Sequence, residues 1–222
     1  TYYDLCEPIE APAEAPRFKR YCAEPVIAYK LNWRGETFYT QNEGAPVEDD
    51  ADFDFFIQQN GGRSFFAIMQ QQRDRANGLK TSGFISGYRG SPIGGYDNAL
   101  WAAKSYLEEH DILFQPGLNE DLAATAIWGT QQLDFVPGPK VDGVFSIWYG
   151  KGPGVDRSGD PLKHINYNGT HRNGGVLVVF GDDHQGKSSS IGHQSDPALA
   201  ANSIPVLFPA TVQEYLDYGL HG

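Results

Sequence analysis

Thr81-Ser-Gly-Phe-Ile-Ser-Gly-Tyr-Arg-Gly-Ser-Pro-Ile-Gly-Gly95 is a short apolar segment that runs straight into a glycine-rich loop. Thr81 to Ser86 has the length and content of a buried strand, and the glycines from Gly87 onward break it. From about Asp97 to Glu109, Leu100, Ala103 and Leu107 recur at helical spacing, so the unit reads strand, loop, helix. The alternation continues in both directions. On the N-terminal side, Ser64 caps a predicted helix carrying Phe65, Phe66, Ile68 and Met69, which Asn77-Gly78 ends. On the other side, a strand at Ile112 to Gln115 leads through Pro116-Gly117 to a helix opening at Asn119, with Leu122, Ala126 and Leu133 as its apolar stripe. Gly143 to Tyr149, Val176 to Phe180 and Pro205 to Phe208 are short runs rich in Val, Ile and Phe, and read as further buried strands. A last helix begins at Thr211 with Val212, Tyr215, Leu216 and Leu220.

Strands alternating with helices predict an α/β domain: an open parallel sheet with helices on both faces. In such folds ligands sit beyond the carboxyl ends of the strands. The loops Gly87–Gly95, Pro116–Glu120, Gly150–Asp160 and Gly181–Ser190 all belong there. This domain is assigned to residues 61–222, and its end within or just after a helix predicts a sheet left incomplete at the C-terminus. Residues 1–60 are of another character. Three Pro, three Glu and three Ala fall between residues 7 and 16, and an acidic run with Glu48, Asp49, Asp50, Asp52 and Asp54 falls between 43 and 54. They read as an irregular or lightly folded extension, with a β-hairpin over Val26 to Tyr39 turning at Trp33-Arg34-Gly35-Glu36.

Composition narrows the function. The 222 residues carry 28 acidic and 17 basic side chains, a formal charge of −11 with no long basic run. Nucleic acid and anionic membranes need clustered Lys and Arg, so neither is an expected partner. Cys6 and Cys22 are the only cysteines, too few to hold an iron–sulfur cluster and without zinc-ligand spacing. No stretch approaches the ~18 apolar residues that span a membrane. Thr1-Tyr-Tyr-Asp4 has neither the basic region nor the apolar core of a secretory signal, and a cytoplasmic protein is expected.

Three loops carry candidate chemistry. Gly181-Asp-Asp-His-Gln-Gly186-Lys187-Ser188 satisfies the P-loop pattern G-x-x-x-x-G-K-[ST] and follows a strand. Gly and Pro in the residues after it, and Asp182 and Asp183 inside it, oppose a phosphate-facing helix. In Gln115-Pro-Gly-Leu-Asn119-Glu120-Asp121, Asn119 is a good cap and the two acids favour the helix dipole. On composition alone that plainer reading of Glu120 is the stronger one. In Tyr88-Arg89-Gly90-Ser91-Pro92 glycine lets the backbone approach a ligand, and Arg89 can pair with a carboxylate or phosphate; a tight connection with a surface arginine fits equally. Trp148-Tyr-Gly-Lys-Gly-Pro-Gly154-Val-Asp-Arg157 is a fourth loop shaped for close contact, of no readable ligand type. His164, His171, His184 and His193 show no ligand spacing and receive no role.

Together and in this order, Ser86-Gly-Tyr-Arg-Gly-Ser-Pro-Ile-Gly-Gly95, Phe114-Gln-Pro-Gly-Leu-Asn-Glu-Asp-Leu-Ala-Ala-Thr125, Trp148 to Gly159, Gly181 to Ser189 and Val212-Gln-Glu-Tyr-Leu-Asp-Tyr-Gly219 resemble the indolepyruvate branch of the 2-oxoacid:ferredoxin oxidoreductases. The resemblance covers about residues 61 to 222 and implies the domain that holds the aminopyrimidine of thiamine diphosphate. It implies oxidative decarboxylation of an aryl 2-oxoacid with coenzyme A, giving an acyl-CoA, CO2 and reduced ferredoxin. Glu120 then falls where the family has the glutamate that hydrogen-bonds the pyrimidine ring and supplies a proton, with Gly90, Pro92 and Asn119 beside the cofactor. Ser91 and Arg89 face the substrate carboxylate, Arg157 being the other candidate, while Asp182, Asp183, Lys187 and Ser188 line the cleft. Magnesium and iron–sulfur clusters belong elsewhere in the enzyme, because no Gly-Asp-Gly segment with a following Asn and no cluster cysteines are present. The resemblance therefore implies that these residues are a piece or subunit of a larger dimeric enzyme, inactive alone and completed by its remaining domains. Two alternatives stand beside it: a non-catalytic assembly subunit of the same fold, and a P-loop nucleotide-binding protein.

Overall fold

In the computed structural model, which describes residues 28–31, 37–40, 65–90, 93–186, 191–210 and 212–222, the segment Thr81–Gly87 is a central strand of a four-stranded sheet. In chain order the elements are β1 (Ala28–Leu31), β2 (Thr37–Thr40), α1 (Phe65–Ala76), β3 (Thr81–Gly87), α2 (Gly94–Ala102), α3 (Lys104–Glu109), β4 (Ile112–Phe114) and α4 (Glu120–Thr130). They continue with a 3-10 turn at Leu133–Phe135, β5 (Gly143–Lys151), α5 (Gly152–Arg157), α6 (Gly159–Asn168), β6 (Gly175–Gly181), α7 (Asp196–Ala201) and α8 (Val212–His221). The sheet order is β4-β3-β5-β6 and every pairing in it is parallel. β1 and β2 pair antiparallel with Ala28 opposite Thr40, as the hairpin reading predicts; its turn and both cysteines lie outside the described residues.

The period-2 alternation of the strands explains why both faces are covered. Ile85, Ile147, Tyr149, Leu177 and Val179 point to one face, where they meet Phe66 and Met69 of α1, Leu100 of α2, Leu107 of α3, and Tyr215 and Leu220 of α8. Phe84, Trp148, Val176, Val178 and Phe180 point to the other, against Ala124 and Ile127 of α4, Val155 of α5, Leu162 and Ile165 of α6, and Leu199 of α7. Each face has its own apolar core. Among the described residues no helix is long and apolar enough to cross a membrane.

Three local readings are corrected. The helix predicted over Asp97–Glu109 is two helices meeting at Ala103, although Ala103 N–H still donates to Ala99 O and Leu107 N–H to Ala103 O. The ladder thus crosses the break, and the Leu100-Ala103-Leu107 stripe stays buried. Pro205–Phe208 forms no strand. Ile204 and Val206 pack on the second core, but Pro205 has no N–H to give a ladder, and Phe208 is exposed. Finally, α4 buries Ala123, Ala124 and Ile127, not Leu122 and Ala126, which face outward, and Leu133 has left the helix for the 3-10 turn.

Candidate functional site

The order β4-β3-β5-β6 fixes where a site belongs. The chain goes from β3 outward to β4, then crosses back to place β5 on the other side of β3. Connections after β3 and β5 therefore leave in opposite directions, and the carboxyl ends of these two strands are where an open sheet of this kind forms its crevice. Backbone hydrogen bonds stitch the loops around it. Tyr88 N–H donates to Tyr149 O at 3.0 Å, and Gly117 N–H donates to Gly87 O at 2.8 Å. Arg89 and Tyr88 are exposed in the loop after β3. A Cβ on Gly90 would come to 3.0 Å from Lys151 Cδ, so the loop lies against the end of β5.

Glu120 enters this crevice from α4. Asn119 is extended, at φ −156° and ψ 174°, and its Oδ1 accepts the Leu122 N–H at 2.8 Å, the expected N-cap bond. Glu120 lies three residues before Ala123 and four before Ala124, on the helix face turned toward the sheet. Two contacts fix it there. Its carbonyl accepts the indole N–H of fully buried Trp148 at 3.0 Å, and a Cβ on Gly154 would come within 2.5 Å of Glu120 Cγ and 2.9 Å of Oε1. Gly154 is thus bare where the glutamate side chain crosses α5. Glu120 is half-buried, and the loop before it is tied to the end of β3 by the Gly117–Gly87 hydrogen bond.

On the other side of α5 stands a second charged group. Asp182, at the end of β6, accepts Ser195 N–H at 2.7 Å on Oδ2 and Ser195 Oγ–H at 2.6 Å on Oδ1. His193 Nε2 lies 2.7 Å from Asp156 Oδ2 on α5, and its Nδ1 lies 3.6 Å from Asp182 Oδ1. Burial works against the imidazolium, but the two carboxylates outweigh it and raise the His193 pKa above its ordinary value. Asp183 O accepts Gly186 N–H at 3.0 Å, closing a turn in which Gly186 takes φ 64°. Residues 191–195 are not helical and α7 begins only at Asp196, so the helix that a P-loop feeds is not formed there.

The structure sets Gly90 against Lys151 and Glu120 against Gly154, both on the β5–α5 connection, with Asn119 capping the Glu120 helix and Asp182 at Gly152 on the other side of α5. Arg157 is exposed at the end of α5. Ser91, Pro92, Lys187 and Ser188 lie outside the described residues. Sequence reading singled out the Trp148–Arg157 loop without a ligand type, gave Trp148, Gly154 and Asp156 no role of their own, and left His193 without one. Within that loop Gly154 alone left a signal, as one of several glycines. His193 reaches Asp156 across 37 residues, a separation that no local spacing reveals. Among the described residues no group of three or more His, Cys, Asp or Glu is placed to hold a metal ion. No protein-family model, curated protein or solved structure matches the chain.

Proposed function

We propose that this chain is the aminopyrimidine-holding domain of a thiamine diphosphate-dependent 2-oxoacid:ferredoxin oxidoreductase, with Glu120 as its catalytic residue. One observation carries the reading: a half-buried carboxyl group held at the sheet's switch point by a capped helix start, the Trp148 indole and the bare face of Gly154. The loop motifs quoted above support the family, and the parallel sheet with helices on both faces fits its fold.

The residues present suit the ring end of the cofactor. Tyr88 and Leu118 expose apolar surface in the two loops beside Glu120, as a planar heterocycle requires, and Glu120 offers one carboxyl group for a ring nitrogen. Bound thiamine diphosphate supplies a carbon nucleophile and an electron sink for decarboxylation. Glu120 would offer its carboxyl group to the ring nitrogen, general acid–base work that needs a group fixed within hydrogen-bond reach. Asn119 and Trp148 do not move protons; they orient Glu120. Arg89, exposed in the loop after β3, pairs with the substrate carboxylate. The diphosphate, magnesium, iron–sulfur clusters and coenzyme A are bound by the enzyme's remaining domains.

The test uses the complete enzyme under anaerobic conditions with thiamine diphosphate, magnesium, coenzyme A and an aryl 2-oxoacid, following reduction of a low-potential dye. Reduction that needs both the 2-oxoacid and coenzyme A, and falls by roughly two to four orders of magnitude in Glu120→Gln, is the expected result. No reduction from an enzyme shown to carry its cofactor and clusters makes the domain a non-catalytic assembly unit.

A further inference from the structure

α5 is gripped from two sides. Gly152 and Gly154 are two residues apart, about 200° around a helix of 3.6 residues per turn, and so face in nearly opposite directions. At Gly154 the neighbour is the Glu120 side chain; at Gly152 a Cβ would overlap the His193 ring, whose Cγ would be 2.5 Å away, and stand 2.7 Å from Asp182 Oδ1. The turn is thus a wedge between an imidazole and the carboxyl group assigned to catalysis. His193 is also the bridge between two connections: its Nε2 is within hydrogen-bond distance of Asp156 on α5, while its buried Nδ1 has no hydrogen-bond partner among the described residues and stands 3.6 Å from Asp182 Oδ1 on the loop after β6, with 10% of the side-chain surface exposed.

We propose that His193 is a positioning residue: held between Asp156 and Asp182, its imidazolium clamps the Gly152–Arg157 turn against Glu120 and sets where that carboxyl group stands. The link to catalysis rests on the function proposed above; the clamp itself does not. Charged and titratable groups on the elements around the ring are Lys151, Asp156 and Arg157 from the β5–α5 connection, Asp182, Asp183 and His184 from the loop after β6, Asp196 at the start of α7, and Glu120 across α5. His184 Nδ1 approaches the His193 carbonyl at 3.1 Å, tying the backbone but leaving the ring to the two acids. Neutral His193 has one N–H for two carboxylates, whereas the imidazolium has two. Protonation therefore closes the clamp, and its loss frees α5 to move off Glu120.

The experiment follows amide hydrogen exchange of the 152–158 segment in the intact protein, corrected for intrinsic rate, alongside an NMR titration of the histidine rings. Exchange is expected to rise roughly three- to tenfold as pH passes through the His193 titration, which lies above the ordinary histidine range of about 6.5. In His193→Gln the step disappears; in Asp156→Asn, which removes a mostly exposed acid, both the titration and the step move to lower pH. A step that persists in His193→Gln, or stays in place in Asp156→Asn, overturns the clamp. In the turnover assay His193→Gln is expected to lower kcat, leave KM nearly unchanged and remove the matching alkaline limb of the pH profile. If turnover needs Glu120 but ignores His193, the positioning role is overturned. An exchange step that follows His193 while Glu120→Gln turns over normally leaves the clamp standing and overturns the proposed function alone.

Discussion

At Gly154 a single hydrogen in place of a methyl group decides whether Glu120 reaches the crevice. A Cβ there would come 2.5 Å from Glu120 Cγ, well inside carbon–carbon contact, and α5 is already backed by His193 at Gly152. Gly154→Ala is therefore expected to destabilise the protein by about 1–3 kcal/mol and to displace Glu120, lowering turnover beyond what the loss of stability explains. Gly129, near the end of α4, makes the opposite case. It is helical, exposed, and has nothing within 4 Å of a Cβ position, so Gly129→Ala should stabilise by about 0.4–1 kcal/mol through the entropy of the unfolded chain. Thermal unfolding of the two variants reads both effects, and a Gly154→Ala protein as stable and active as the parent would remove the close packing argued for Glu120. The two glycines look alike in sequence. What separates them is a neighbour 34 positions away (154 minus 120), visible only after folding.

Among the elements, α4 shows what local sequence encodes and what it hides. The Asn119 cap was legible because a cap is a matter of one side chain and the third N–H after it. Asn119→Ala should cost about 1 kcal/mol, with Asn119→Ser restoring most of it, as measured by urea unfolding. An unchanged midpoint in Asn119→Ala would mean that packing on Trp148, rather than the cap, holds the helix start. The buried face of α4 was not legible. Leu122, Ala126 and Leu133 suggest an inward stripe, yet the first two are exposed, Leu133 lies past the helix, and the inward residues include two alanines. Small side chains carry a weak hydrophobic signal, but they let α4 lie close on the sheet, near enough for the Glu120 carbonyl to meet the Trp148 indole. The same limit explains Pro205–Phe208: apolar composition suggested a buried strand, whereas Leu207 and Phe208 are exposed and the segment joins no ladder among the described residues. β5 and β6 were legible because parallel strands covered on both faces read as short, mostly apolar runs, even though β6 stands at the sheet edge.

Across the whole molecule the two faces of the sheet are separate cores, and the core on the α1 and α2 side contains a polar contact that sets how the protein responds to alkali. Tyr149 O–H donates to Asp97 Oδ1 at 2.6 Å, both residues being buried, and Tyr96 packs edge-on against Tyr149 with ring centroids 5.4 Å apart. Burial raises the pKa of both phenols well above 10; for Tyr149 the hydrogen bond to Asp97 and the negative charge of Asp97 raise it further, against a smaller lowering by Arg89. The folded chain therefore keeps both protons in a pH range where the unfolded chain, titrating near 10, has released them. Protons bound preferentially to the folded state make stability fall as pH rises, by about 1.4 kcal/mol per pH unit for each phenol. His193 has the same sign at lower pH: its raised pKa stabilises fully below about 6.5, and that contribution is lost as pH climbs through the folded value. Urea unfolding from pH 6 to 11 should thus show stability declining in two stages, a shallow one that His193→Gln removes and a steep one above about 10. Tyr149→Phe should remove close to half of the steep slope while lowering stability at every pH, because buried Asp97 loses its donor. A profile above pH 10 as steep in Tyr149→Phe as in the parent would assign the alkaline limb to repulsion within a chain of formal charge −11 instead of to the buried phenols.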